Sequence, residues 1–259
     1  WEKSASPYLI EGNLTFEIGS SLTIKPGVIV KFKYKKGTLN AFGDFFAVGA
    51  EHDRIIFTSE RDDSFGGDTN GDGEVTKPAK GDWFTLNIGG PWASGEIKYA
   101  SILYGGGSGW NSEALMINNR PDFSLTKSEI KYSWSQGLAI IGAPPKPIRE
   151  NIIAYNKYCG IYGSMNGRTA DVQYNSIFGN GCGGRVWLRE DAIQPPYDRL
   201  DARNCWGGDA LAPEYNSAFH WPDNRSGKGD IILDGVMFDP WLTTDPNAEP
   251  EPEPEPEPE

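Results

Sequence analysis

Histidine, cysteine and positive charge are all scarce in this chain. Its 259 residues hold two His and three Cys, and 24 Lys and Arg stand against 36 Asp and Glu. With so little basic surface no stripe suits a nucleic-acid backbone, and that partner is disfavoured. Long apolar runs are missing too: no stretch reaches the roughly 18–20 residues of a membrane-spanning helix. Part of the acid excess is local. Residues 246–259 carry six Glu and no base, which leaves 30 acidic against 24 basic groups in the remainder. The chain opens on Trp1 with neither Met nor a signal sequence, as a processed or trimmed terminus would.

What the chain does have is Gly (32 residues), Trp (nine residues) and a repeat. Such a composition favours strands and turns. Ser101-Ile-Leu-Tyr, Ser128-Glu-Ile-Lys-Tyr-Ser, Asn151-Ile-Ile-Ala-Tyr-Asn and Asn175-Ser-Ile-Phe-Gly-Asn recur at intervals of 27, 23 and 24 residues. A second apolar run follows each: Ala114–Ile117, Leu138–Ile141, Gly160–Tyr162 and Val186–Leu188. Self-similarity at this period signals stacked units. Two strands and polar turns per unit, with no helical run, describe one rung of a parallel β-helix. Such a solenoid presents long faces suited to extended polymers.

Upstream, Tyr8–Phe16, Ser21–Ile24, Val28–Phe32, Leu39–Phe42 and Ile55–Thr58 read as the first, less regular rungs. Alternation in Leu22-Thr-Ile24 and Val28-Ile-Val30 directs every second side chain inward. Lys25-Pro26-Gly27 between them is a tight bend, and charged Lys33–Gly37 is exposed. A polar insertion occupies 59–82, and regular coils resume at Trp83. An irregular closure covers 190–242, ending near Phe238-Asp-Pro-Trp-Leu242. Residues 1–245 thus form one all-β domain of eight to ten rungs. Residues 246–259 are a disordered linker whose strict Glu-Pro alternation over 249–259 makes an extended tether.

Cys159, Cys182 and Cys205 are spaced 23 residues apart, one coil each time. Flanking Asn and Gly residues place Cys159 and Cys182 one position out of register. A stack of buried small residues is the first expectation, a disulfide between neighbouring coils the second, and a metal site the third. Asn151, Asn156, Asn175 and Asn180 fall at coil corners, where stacked amides hydrogen-bond along the axis and tolerate left-handed backbone.

Three stretches resemble secreted right-handed parallel β-helix proteins of the pectin-lyase-like superfamily. They are Gly19–Phe32, Gly66-Gly-Asp-Thr-Asn-Gly-Asp-Gly73 leading to Gly81-Asp-Trp83, and Asp201-Ala-Arg-Asn-Cys-Trp-Gly-Gly208 paired with Phe238–Leu242. The resemblance implies a right-handed parallel β-helix in a secreted or cell-surface setting. It does not choose an activity, because such folds carry lyases, hydrolases, epimerases and adhesins. The Gly-His-Gly signature of the family's polygalacturonases is missing, and His52 and His220 both fall near irregular segments. The lyase signature is not recognisable either, although Arg185, Arg189 and Lys131 are conceivable bases for a calcium-dependent polysaccharide lyase acting on acidic glycans.

Two constellations remain. Asp68-Thr-Asn70-Gly-Asp72-Gly73-Glu74 matches the first half of a calcium loop, with oxygen donors at alternate positions and a Gly at the sharp turn. The twelfth position is Ala79, so Asp62, Asp63 or Asp82 would have to supply further oxygens. Five carboxylates within 13 residues repel one another without a cation, so Ca²⁺ held by Asp63, Asp68, Asn70, Asp72 and Glu74 is the expected cofactor. In Arg185-Val-Trp-Leu-Arg189, alternation puts Arg185, Trp187 and Arg189 outward. Aligning Ile161 with Val186 puts Tyr162 beneath Trp187. These four form either a sugar-binding face or a surface covered by 190–237. The expected function is a non-catalytic extracellular module that binds polysaccharide or a cell-surface polymer, or serves as a structural element with self-assembly as a further partner class.

Overall fold

The computed structural model describes residues 1–90, 92–107, 113–186, 199–209, 213–215, 229–232 and 236–247. Among them every paired strand runs parallel to its neighbours, and the strands stack as an all-β solenoid of about 6 turns. One 3₁₀ turn, Lys3–Ala5, is the only helix described. Each turn contributes three strands rather than the two expected. The first sheet stacks Tyr8–Ile10, Ile29–Phe32, Ile55–Ser59, Ala100–Leu103, Glu129–Lys131, Ile152–Ala154 and Ser176–Phe178. The second includes Asn13–Phe16, Thr38–Ala41, Thr85–Gly89, Leu115–Asn118, Leu138–Ile141, Cys159–Ser164 and Cys182–Val186. The third, unforeseen, stacks Ser21–Ile24, Asp44–Val48, Gly95–Lys98, Phe123–Thr126 and Ile148–Arg149. There are about 6 turns where eight to ten were expected, and the insertion lengthens one of them, in which Ile55 pairs with Ala100.

The apolar positions form columns because each strand pairs only with its counterpart one turn away. Val30, Phe57, Ile102, Ile130, Ile153 and Ile177 lie in one register line, all buried. Leu39, Leu86, Leu115, Leu138 and Ile161 make another, which ends at Gly184. Each such side chain contributes roughly 1.5–3 kcal/mol by leaving water. Near Gly184, between Ile161, Leu200, Ile232 and Val236, lies an apolar cavity of about 30 Å³.

Corners on either side of the first sheet hold non-Gly residues in left-handed backbone. Tyr99, Lys127, Glu150 and Tyr174 enter it, and Tyr104, Tyr132 and Tyr155 leave it, all with φ between 49° and 64°. Amide ladders hold these bends. Asn151 Oδ1 accepts the Ser128 N–H at 3.0 Å, and Asn175 Oδ1 accepts the Asn151 N–H at 2.9 Å. Across the sheet Asn156 Oδ1 accepts from Ser133 N, Asn180 Oδ1 from Asn156 N, and Asp230 Oδ2 from Asn180 N. The four Asn residues are structural, as expected, but the left-handed backbone falls on the residue before each (Glu150, Tyr155, Tyr174 and Gly179) and not on the Asn itself.

Two cysteine expectations change. Cys159 and Cys182 are in register and joined by a disulfide, with Cα atoms 4.3 Å apart. The corner after Asn156 is Lys157-Tyr158, whereas after Asn180 it is Gly181 alone. That one-residue shortening realigns the cysteines. Cys205 is not a third member of their column. It is a buried free thiol that extends the Asn151–Asn175 ladder, its sulfur donating to Val172 O at 3.1 Å and facing Asn175 N at 3.4 Å.

Arg120 fixes the corner between the second and third sheets. It is fully buried, and its guanidinium donates only to backbone carbonyls: Nε to Ala93, Nη1 to Ala41 and Gly89, Nη2 to Gly43 and Ser94, at 2.7–3.2 Å. These carbonyls belong to two preceding turns, so one side chain pins three.

Arg120→Met should cost about 3–5 kcal/mol in urea denaturation, because it orphans the buried carbonyls; a loss below about 1 kcal/mol would contradict this role. Burial pushes the Cys205 thiol from 9.0 up to about 12. Between those values the folded chain keeps a proton that the unfolded chain releases. Its contribution is therefore intact below pH 9 and lost as pH rises towards 12. The measurement is melting temperature against pH, where Cys205→Ala should flatten the alkaline decline.

Candidate functional site

The insertion lies on the outer face of the first sheet. Lys31, flanked by inward-facing Val30 and Phe32, points outward yet is fully buried, and its Nζ donates to Gly67 O at 2.5 Å. Burial lowers the Lys31 pKa, against the pull of Asp63, Asp62, Asp68 and Glu60. At the near end Asp62 accepts Thr58 Oγ1 at 2.6 Å and also Ser64 Oγ. At the far end Asp82 Oδ2 accepts Ser59 Oγ at 2.8 Å and Ala79 N at 3.1 Å, with Arg61 at 3.4 Å. Both ends are thus latched to one strand. Trp83 anchors the exit, stacked on Phe32 at 4.1 Å with Nε1 donating to Leu103 O.

From that latch the insertion runs on across the sheet as a strap. The N–H groups of Gly81 and Asp82 donate to Tyr104 O at 3.1 and 3.0 Å. Gly81, at φ 82°, lies so near Trp134 that a Cβ there would meet the Trp134 Cβ at 2.7 Å. Lys80 Nζ reaches Tyr155 O. Counting from Lys31, the segment touches five successive turns.

The five expected cation ligands behave differently from one another. Asp68 accepts the N–H groups of Gly71, Asp72 and Gly73 at 2.8–3.2 Å, and these bonds, Gly73's foremost, hold its carboxyl below the usual range. Asn70 Nδ2 donates to Asp72 Oδ2 at 2.9 Å and meets Thr76 Oγ1 at 3.0 Å. Glu74 is 87% exposed at its side chain and pairs with Lys77 at 3.3 Å. Both Asp63 oxygens are buried without a hydrogen-bond partner, as are Asn70 Oδ1 and Asp72 Oδ1. Among the described residues no three His, Cys, Asp or Glu side chains group as a metal site. Asp62 and Asp82 are spent on the latch.

The expected sugar-binding face is only partly visible. Tyr162 is paired with Arg185, not Trp187, because Ile161 aligns with Gly184. Arg185 is described as strand backbone, and Trp187, Arg189 and His220 lie outside the described residues. Lys131 is ion-paired with Glu129, whose Oε1 accepts Ser101 Oγ at 2.6 Å. His52 sits in an exposed turn. Tyr104, Tyr132 and Tyr155 stack at 5.2 and 5.7 Å, so ring faces that a sugar would need are turned on one another.

An open aromatic lies elsewhere. Ile18, Ser20, Phe42, Asp44, Gly90 and Trp92 line a groove of about 170 Å³ at the Arg120 corner. Trp92 is 88% exposed and Ile18 71%. Asp44 Oδ1 accepts Ser94 N at 2.8 Å, and Arg120 holds the carbonyls of Gly43, Gly89, Ala93 and Ser94 beneath. Sequence reasoning passed over Trp92. Its signal was a Trp in a Gly-Pro-Trp-Ala-Ser-Gly turn, outside every apolar column.

Replacing Asp82 by Ala should release the strap, costing about 1–3 kcal/mol per buried group left unsatisfied and opening tryptic cleavage after Lys80. Unchanged protease resistance would show that the latch does not hold the insertion. No protein-family model, curated protein or solved structure matches the chain.

Proposed function

We propose that the chain is a non-catalytic extracellular solenoid module that binds polysaccharide, with Trp92 as the sugar platform. The observation that carries this reading is an indole 88% exposed on a groove whose floor a fully buried arginine holds rigid. An aromatic face suits the C–H face of a pyranose, while the Asp44 carboxylate and Ser20 hydroxyl give polar partners for sugar hydroxyls. Preorganised backbone under the platform spares the ordering cost of binding. The Cys159–Cys182 disulfide supports an oxidising compartment, hence secretion or the cell surface, in line with the resemblance to secreted pectin-lyase-like β-helices.

Two neighbouring readings have less support. Elimination on an acidic glycan needs a free base, and Lys131 is engaged by Glu129. Self-assembly through the solenoid's first turn would need an open end. There Trp1 stacks on Tyr8 at 4.7 Å and meets Phe16 edge-on at 6.2 Å, packing against the core.

Affinity electrophoresis in gels containing neutral and uronate polysaccharides tests the proposal. At least one polymer should retard the wild-type chain, and Trp92→Ala should weaken retardation at least tenfold without changing the melting temperature. Equal retardation of both proteins would remove Trp92 from the site. Free migration throughout, or ultraviolet absorbance from an unsaturated product, would overturn the proposed function.

A further inference from the structure

Four buried oxygens in the strap lack any donor: Asp63 Oδ1 and Oδ2, Asn70 Oδ1 and Asp72 Oδ1. Buried acceptors rarely go unmatched, and a buried carboxylate without a partner is among the costliest groups to keep. No nitrogen of the strap is stranded in the same way, so what these atoms lack is an electron-pair acceptor. Two of the oxygens sit on side chains that touch each other, since Asn70 Nδ2 and Asp72 Oδ2 are 2.9 Å apart. The charge count points the same way. Glu60, Asp62, Asp63, Asp68, Asp72 and Glu74 share the segment with few bases: Arg61 turns to Asp82 and Lys77 to Glu74. Lys31 donates to Gly67 O and makes no hydrogen bond or ion pair with Asp63, leaving that carboxylate unmatched.

We infer that Asp63, Asn70 and Asp72 bind one calcium ion that orders the strap across the first sheet. Oxygen-only donors with no His or Cys select a hard cation, and a flexible loop keeping carbonyls and water in reach suits calcium's six to eight ligands better than magnesium's strict octahedron. Asp63, with both oxygens free, takes the bidentate role for which the loop itself has only Ala79. Asp68 shapes the loop through its three N–H bonds, and Glu74 remains outside. One uncommitted carboxylate (Asp63, acting on the Lys31 ammonium) and one half-engaged carboxylate (Asp72) make a weak site, with Kd about 10⁻⁴–10⁻³ M as in extracellular modules. The site is separate from the Trp92 groove, so either proposal can fail alone.

The test is calorimetric titration and thermal melting of the whole chain, stripped with EDTA and then given CaCl₂ or MgCl₂. Calcium should bind one to one and raise the melting temperature by roughly 5–10 °C at a hundredfold excess over Kd. Magnesium should bind at least tenfold more weakly. Asp63→Asn and Asp72→Asn should each weaken calcium at least tenfold while melting in EDTA no lower than wild type, which shows that they fold. Glu74→Gln should keep wild-type affinity. If Lys31 is instead the strap's sufficient counter-ion, calcium leaves both heat and melting unchanged, and the inference is overturned. Wild-type affinity in both Asn variants would overturn it equally, by placing the ion elsewhere.

Discussion

Everything in this structure depends on parallel pairing between one turn and the next. A residue in a sheet strand sits beside its counterpart one circuit along the chain, so each position has to tolerate a near-copy of itself about 4.8 Å away. Apolar side chains meet that condition easily, and the inner columns of Leu, Ile and Val result. Polar side chains meet it only if one copy donates where the next accepts. An amide can do both, which is why Asn occupies the two bends flanking the first sheet. The same condition brings Cys159 and Cys182 side by side.

Features that break this regularity are the ones with chemistry to spare. Arg120 has no counterpart stacked on it. Its five donors go to backbone at a corner, and the groove above that corner exposes Trp92. The strap likewise belongs to no column. It touches five successive turns, and three of its side chains keep buried oxygens without a hydrogen-bond partner. The Asn side chains within the repeat are already bonded to their copies.

Legibility followed the same division. The runs Ser128-Glu-Ile, Asn151-Ile-Ile and Asn175-Ser-Ile pair residue for residue as the sequence suggested, because apolar spacing and Asn position agree there. One turn earlier the interval is 28 rather than 27, because Ile102 rather than Ser101 marks the true register. The third sheet was missed because Gly95–Lys98 and Phe123–Thr126 are short strands between turns, each with too few apolar residues to show a period. Corner length misled the alignment of Ile161, and with it the partner of Tyr162. The loop's polar spacing was readable at Asp68, Asn70 and Asp72, but no spacing could show that Asp62 and Asp82 serve the latch while both Asp63 oxygens stay unpartnered. Arg120, beside Asn119 and Pro121, looks like a solvent-facing turn residue; only three turns folded together give it five acceptors.

A solenoid's stability is close to a sum over neighbouring turns, so a local loss stays local unless something spans the turns. Three such spans matter here. Arg120 ties three turns at one corner, the disulfide joins two nearer the C-terminal end, and the strap reaches from Lys31 to the turn of Tyr155. Of these, the strap is the one whose hold can be varied without breaking a covalent bond or a buried network. Arg120 is sealed in, and the disulfide yields only to reduction. The strap's middle is polar, rich in Gly and short of apolar contacts, so its order depends on charge balance rather than packing. An ion bound there would act on every turn the strap touches, so that a weak local affinity could change the cooperativity of the longest part of the solenoid.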